Sequence, residues 1–285
     1  MPTLQLIDQP RSFARFLQPV AMVRSLWAHR ELTGQFAARN IRGRYKGQAL
    51  GSVWSLLDPL MLLAIYTFVF GVIFRRADPA GDGGIARYAL EVFGGILIFG
   101  VFRDTVGAAP FLIVSHANFV KKVVYPLETL VVSQLLVALF NLAVGLAVWL
   151  LGFVIFSAAH VPSPGILLLP VVILPVALLA LGLSWFLASL GVFLRDLRTP
   201  VGSIMQMLFF LSAIFYRIED VPEPYRAAIA WNPMAQAVAA GRAVMFGDAG
   251  PDWRIWGAMT GAGVLLSLAG YAFFMKSRRA FADVI

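Results

Sequence analysis

Apolar residues run through this chain in long unbroken stretches, not in two-residue alternation. Residues 51–74 carry one charge, Asp58. Residues 88–115 carry Glu91, Arg103 and Asp104. Between Thr129 and Leu194 there is no Asp, Glu, Lys or Arg at all. That stretch is too long for one crossing, and Pro162, Pro164 and Gly165 divide it into 129–157 and 166–193, because proline and glycine end helices. Two more apolar runs follow, at 200–216 and 253–275. The runs far exceed the roughly 10-residue alternating strands of a membrane barrel. Lipid leaves backbone polar groups no partner except each other, so long apolar runs are read as helices. The pattern predicts an all-α integral membrane protein with six transmembrane helices.

Two stretches depart from it. Residues 20–41 mix Val23, Leu26, Trp27, Leu32 and Phe36 with charges, which predicts an interfacial amphipathic helix. In 217–252, charges alternate with short apolar pieces, and Pro222, Pro224 and Asn232-Pro233 cut the segment. Two helices are expected, near 223–231 and 234–246. Both are too short to cross and are read as re-entrant or interfacial. The domain division is therefore 1–50, a cytoplasmic N-terminal segment, and 51–285, a transmembrane domain.

Composition agrees: 60% of the residues are hydrophobic and 13% charged, where a soluble domain has about a quarter charged. The net charge of +8 matters through its placement. With both termini in the cytoplasm, the inner segments hold fifteen Lys and Arg and the outer ones seven, with Arg103 inside a span. That asymmetry favours cytoplasmic termini, and six crossings satisfy it. Eight of the cations lie in residues 1–51, beside so much apolar chain that anionic lipid or a soluble partner is favoured over nucleic acid. The first thirty residues lack the apolar core and cleavage site of a signal peptide, so none is expected.

Catalytic constellations are missing. His29, His116 and His160 are scattered, cysteine is absent, and no Gly-x-x-x-x-Gly-Lys-Ser/Thr loop occurs. No metal site and no ATP hydrolysis by this chain are expected. Arg103-Asp104 reads either as part of a polar pathway or as a self-neutralised pair near an interface. Asp58, next to Pro59, reads as local helix chemistry near the headgroups, with a place on a polar pathway as the alternative. Tyr66, Phe70 and Phe74 recur at i, i+4, i+8 on one helix face. Phe209, Phe210, Phe215 and Tyr216 crowd the fifth run. Rings facing a pore can stack on sugars, and packing between helices is the plainer reading. Gly257-x-x-x-Gly261 is a weak close-packing signal.

Several motifs in order carry a resemblance. They are Arg42-Gly-Arg44-Tyr45-Lys46 running to Trp54 and Pro59, Asn118-Phe-Val-Lys121-Lys122-Val-Val-Tyr125-Pro126, Phe193-Leu-Arg195-Asp196, and Pro222-x-Pro224-Tyr225 with Trp231-Asn232-Pro233-Met234. Over residues 20–280 the chain resembles the membrane subunit of type-2 ABC exporters, in the branch that exports O-antigen, capsule and teichoic acid. The resemblance implies a channel-forming permease in the bacterial inner membrane, a homodimer with two separate ATPase subunits that hold ATP and magnesium. Its cargo would be a polyprenyl-pyrophosphate-linked polysaccharide. Arg39, Arg42, Arg44 and Lys46 would attract the pyrophosphate. Trp27 of the amphipathic helix and Lys121, Lys122, Tyr125, Pro126 and Glu128 of the coupling turn 116–128 would meet the ATPase. Pro222, Pro224, Tyr225, Trp231, Asn232 and Pro233 would belong to outer gate helices within 217–247. Export of a smaller lipid or drug, ion-coupled secondary transport, and a non-transporting scaffold are the other readings the residues leave open.

Overall fold

A computed structural model of the protein describes residues 18–45, 53–69, 84–121, 125–156, 163–247 and 250–285. Lys46, Phe70, Phe74, Lys122 and His160 lie outside them. Among the described residues all regular structure is helical. Four helices are long and apolar enough to cross a membrane: Ala86–Leu112, Glu128–Ile155, Pro164–Phe193 and Trp253–Val284. Leu56–Val69 is a shorter apolar helix.

The amphipathic stretch is not one helix. α1 (Pro19–Ala28) and α2 (Arg30–Tyr45) meet at His29. His29 has φ −104° and ψ 16°, and its Nδ1 lies 2.9 Å from the Ser25 carbonyl oxygen. A side chain that bonds the last turn of a helix competes with the next turn's backbone bond, so the chain bends there. The apolar residues are thereby split. Met22, Leu26 and Phe36 pack on the protein, while Val20, Val23 and Trp27 are exposed.

After α3 (Trp54–Tyr66) comes α4 (Gly84–Leu112), the central helix. In its most apolar window 72% of the residues are buried, against 33% in the last long helix. Yet α4 is the least hydrophobic of the four and carries Glu91, Arg103 and Asp104. Charged groups are costly in hydrocarbon and face protein or water, so the most polar long helix takes the middle of the bundle. The short α5 (Ala117–Lys121) leads to α6 (Glu128–Phe156), α7 (Leu169–Phe193) and α8 (Arg198–Leu211). α8 ends at Leu211, and Ala213 at φ 52° reverses the chain. Two short helices follow, α9 (Tyr225–Ala230) and α10 (Pro233–Phe246). Asn232 caps α10 by accepting from Met234 N at 2.9 Å. α11 (Trp253–Ser277) and α12 (Phe281–Val284) complete the chain.

α11 lies along α7 at a separation that only small residues permit. A methyl group on Gly270 would meet the Gly182 carbonyl, and one on Gly182 would meet the Leu266 backbone. Ser267 Oγ donates to the Leu178 carbonyl at 2.7 Å across the same seam. Gly257 and Gly261 have nothing within 4 Å of such a methyl, so that pair does not make this contact. Gly270→Val is expected to destabilise the fold by about 1–3 kcal/mol through overpacking. Gly257→Val leaves it unchanged. Thermal unfolding in detergent compares the two.

Phe36, Leu112, Ile113, Leu130, Phe274 and Phe281 share one buried cluster. It closes one end of the bundle, the basal end, where both described terminal segments meet the turn before α6.

Candidate functional site

The basal end is held by aromatic stacking and ion pairs. Phe36 of α2 is buried and sits edge-on to His116 (centroids 5.2 Å) and to Phe119 (5.8 Å). Phe119 stacks on Tyr125 at 4.8 Å. From the other side, Lys121 Nζ donates to the Ile285 backbone oxygen at 2.7 Å. Arg278 pairs with the buried Glu128 carboxylate at 2.8 Å. The described parts of this turn, 113–121 and 125–128, are thus gripped by α2 and by the segment 278–285.

From there a polar row climbs along α6 and α4. Phe36, Arg39, Asn40, Gly43 and Arg44 recur with helical spacing on one face of α2. They line a cavity of about 400 Å³ with His116, Phe119 and Gln134. Arg44 also lines a second cavity of about 160 Å³, with Asp58, Arg103, Asp104 and Asn141. Arg103 NH2 lies 2.9 Å from Asp104 Oδ1. Gln134 donates to the Asp104 carbonyl at 3.0 Å, and Asn141 to Asp104 Oδ2 at 3.4 Å. Arg103 opens in turn onto a third cavity of about 350 Å³, with Gly107, Gly202, Gln206 and Phe209.

Above that cavity the rings collect. Phe209 contacts Phe99 (5.7 Å), Phe210 (5.4 Å) and Phe215 (5.3 Å), and Phe215 lies 5.9 Å from Tyr66. Tyr216 Oη donates to the Phe210 carbonyl. The chain's return after α8 would leave several carbonyls without helical partners. Side chains supply them: Tyr88 donates to Phe215, and Arg242 donates to Ala213, Ile214 and Tyr216. Three guanidinium groups then face Glu91: Arg217 donates at 3.2 Å and Arg87 at 3.4 Å, and Arg242 Nε forms an ion pair with it at 3.7 Å, beyond hydrogen-bond reach. Burial lowers the Arg242 pKa, and the Glu91 charge opposes that shift. Asn232 Nδ2 ties α10 back to the Leu211 carbonyl at 2.9 Å.

A basic foot on α2, a charged pair in the basal third of α4 and an aromatic head therefore follow one another. Sequence comparison bears on what uses such a path. A model of the ABC-2 type transporter family matches residues 31–246. The chain belongs to that family.

The match runs from α2 to α10 and so takes in the basal junction, the polar row and the Glu91 cluster. Among curated relatives, the chain is 26% identical to the O-antigen export system permease protein RfbA of Myxococcus xanthus, over 93% of this chain and all of that one. It is 22% identical to an O-antigen export system permease protein RfbA of Klebsiella pneumoniae, over 87% of this chain and 92% of the relative. It is 26% identical to the polysialic acid transport protein KpsM of Escherichia coli, over 73% of this chain and 79% of the relative.

In this ABC-2 protein the residues singled out from sequence are placed as follows. Arg39 and Arg44 line the row, whereas Arg42 is not among the residues lining either cavity; all three are exposed. Tyr66, Phe209, Phe210 and Phe215, read from two separate apolar runs, form one cluster. Lys121, Tyr125 and Glu128 sit at the basal junction, with Pro126 between them, and Trp27 is exposed at 68%. Pro222, Pro224, Tyr225 and Trp231 stand on the exposed segment leading into α10, and Asn232 and Pro233 begin that helix. Sequence reading named Phe36 only as an apolar position of the amphipathic helix and gave no role to Gln134, Asn141, Arg217, Arg242 and Arg278. For Gln134 and Asn141 a signal was present: two amides seven residues apart in an otherwise apolar run share a helix face. Polar side chains in such runs turn towards protein.

Proposed function

We propose that this protein is the channel-forming permease of an ATP-driven exporter. It moves polyprenyl-pyrophosphate-linked polysaccharide, of the O-antigen kind, from the cytoplasm across the bacterial inner membrane. Two copies form the channel, and two separate ATPase subunits bind ATP and magnesium. In this reading α3 and α8 make the first and fifth of six crossings, both termini are cytoplasmic, and α9 and α10 are re-entrant gate helices. The basal end, where Trp27 is exposed and Lys121, Tyr125 and Glu128 are held, receives the ATPase. The observation that carries the reading is the order along the path, cations first and rings after. It suits a cargo with a charged lipid-linked head and a long sugar chain. The family and the names of the relatives support it.

Purification of the chain with its native partners tests this. An ATPase is expected to accompany it, and lipid-linked polymer is expected to stimulate hydrolysis. Isolation with no ATPase would overturn the reading. A second outcome concerns the basic foot. Arg39→Gln with Arg44→Gln removes two charge-assisted contacts, each worth about 1.5–3 kcal/mol. Export by correctly inserted protein should then fall at least roughly tenfold, as surface polymer reports. Normal export would leave these cations a topological role alone.

A further inference from the structure

The Arg103–Asp104 pair stands apart from the ordinary uses of charge in a membrane helix. It lies nine residues before the end of α4 at Leu112, or about 14 Å along the helix. A roughly 30 Å hydrocarbon core centred on the 29 residues of α4 contains the pair, about 8 Å to the basal side of its midplane. Asp104 is fastened in place by Gln134 and Asn141 of α6. Arg103 is not enclosed: its side chain is 47% exposed, against 26% for Asp104. It lines both the cavity that Arg44 reaches and the cavity that Gln206 and Phe209 line. A pair serving only to neutralise itself has no reason to keep its cation open on two sides.

We infer that Arg103 is a second anion-binding station, which takes the substrate's diphosphate from the Arg39–Arg44 foot and holds it inside the membrane. This rests on the proposed function and names a binding residue for it. Asp104 is the counter-charge: it holds the guanidinium in place and competes with the arriving phosphates. A guanidinium presents a planar fork of donors that matches phosphate oxygens in pairs. Exchanging one carboxylate for a diphosphate therefore keeps its hydrogen bonds made throughout.

The two members of the pair should then have opposite effects. The test uses the permease–ATPase complex in lipid nanodiscs, with polyprenyl diphosphate titrated against ATP hydrolysis. Arg103→Gln should raise the half-saturating concentration about tenfold, and Arg103→Lys should fall between it and wild type. Asp104→Asn should lower it, roughly threefold, by removing the competitor. The charge swap Arg103→Asp with Asp104→Arg retains a pair but turns the cation about 100° around the helix. It should keep wild-type thermal stability and titrate like Arg103→Gln. Two arms identify the ligand: phosphate-free polyprenol should not distinguish the variants, and inorganic pyrophosphate should compete more weakly in Arg103→Gln. Equal half-saturation in wild type and Arg103→Gln would overturn the inference and leave the proposed function standing. So would shifts in the same direction for Arg103→Gln and Asp104→Asn, the mark of a structural pair. Failure of polyprenyl diphosphate to act on wild type would overturn both.

Discussion

Glu91→Gln is expected to loosen the end of the bundle opposite the termini and to cost about 3 kcal/mol of stability. The carboxylate faces three guanidinium groups, and it is nearly enclosed, with 8% side-chain exposure. Arg242 is enclosed too, at 11%. Removing the anion leaves Arg242 with nowhere to go: its two terminal nitrogens are committed to the 213–216 carbonyls, and its buried Nε makes no hydrogen bond and faces the Glu91 charge, at 3.7 Å. Arg217 and Arg87 are more exposed, at 52% and 36%, and can turn to water, so the cost stays near the low end for breaking a buried pair. The control is Arg87→Gln, which removes the i,i+4 partner and should cost less than about 1 kcal/mol. Thermal unfolding in detergent ranks the two. Equal midpoints would mean that the 212–217 return is held by Tyr88 and packing alone. The consequence extends to transport, because the loop clamped here carries Phe215 and Tyr216 of the ring cluster.

Phe36→Ala should separate the amphipathic helices from the turn they grip. The ring is 7% exposed and touches His116, Phe119 and Tyr125. Truncating a buried phenylalanine costs about 3–5 kcal/mol. Here the loss is local, since long helices hold the rest of the bundle. Under the proposed function, the complex should still assemble through its remaining basal contacts and still hydrolyse ATP. Polymer export and substrate-stimulated hydrolysis should both drop severely. Phe36→Leu refills most of the volume and should recover much of both. The measurement is ATPase activity with and without lipid-linked polymer, beside surface polymer in cells. Full export by Phe36→Ala would remove the junction from the transport cycle.

Hydropathy alone made the protein helical and membrane-embedded, because hydrocarbon forces backbone groups to pair within the segment. The order of the short motifs pointed to the exporter family that sequence comparison then established. Short-range chemistry was legible as well. Asn232-Pro233 reads as a cut before the second short helix, and α10 starts there, with Asn232 as its cap and proline in its first turn. The bend at His29 was not legible, because it depends on one ring bonding back to Ser25, and helix propensity on both sides is good. The small-residue seam was also misplaced. Glycine spacing singled out Gly257 and Gly261, whereas Gly182, Ser267 and Gly270 make the contact. Which face of a helix meets another depends on the partner's surface, and one helix's sequence does not contain it.

The site divides along the same line. By itself the sequence determined which residue types were available: a basic segment, a charged pair in an apolar run, two groups of rings and an isolated glutamate. Residue identity and spacing act over one or two turns, and these features are local. Only the tertiary structure decided that they belong together. It set Arg44 beside Arg103, joined Tyr66 to Phe215, and brought Arg87, Arg217 and Arg242 onto one carboxylate. Such pairings arise because buried charges and unpaired carbonyls must find partners wherever the packed helices present them.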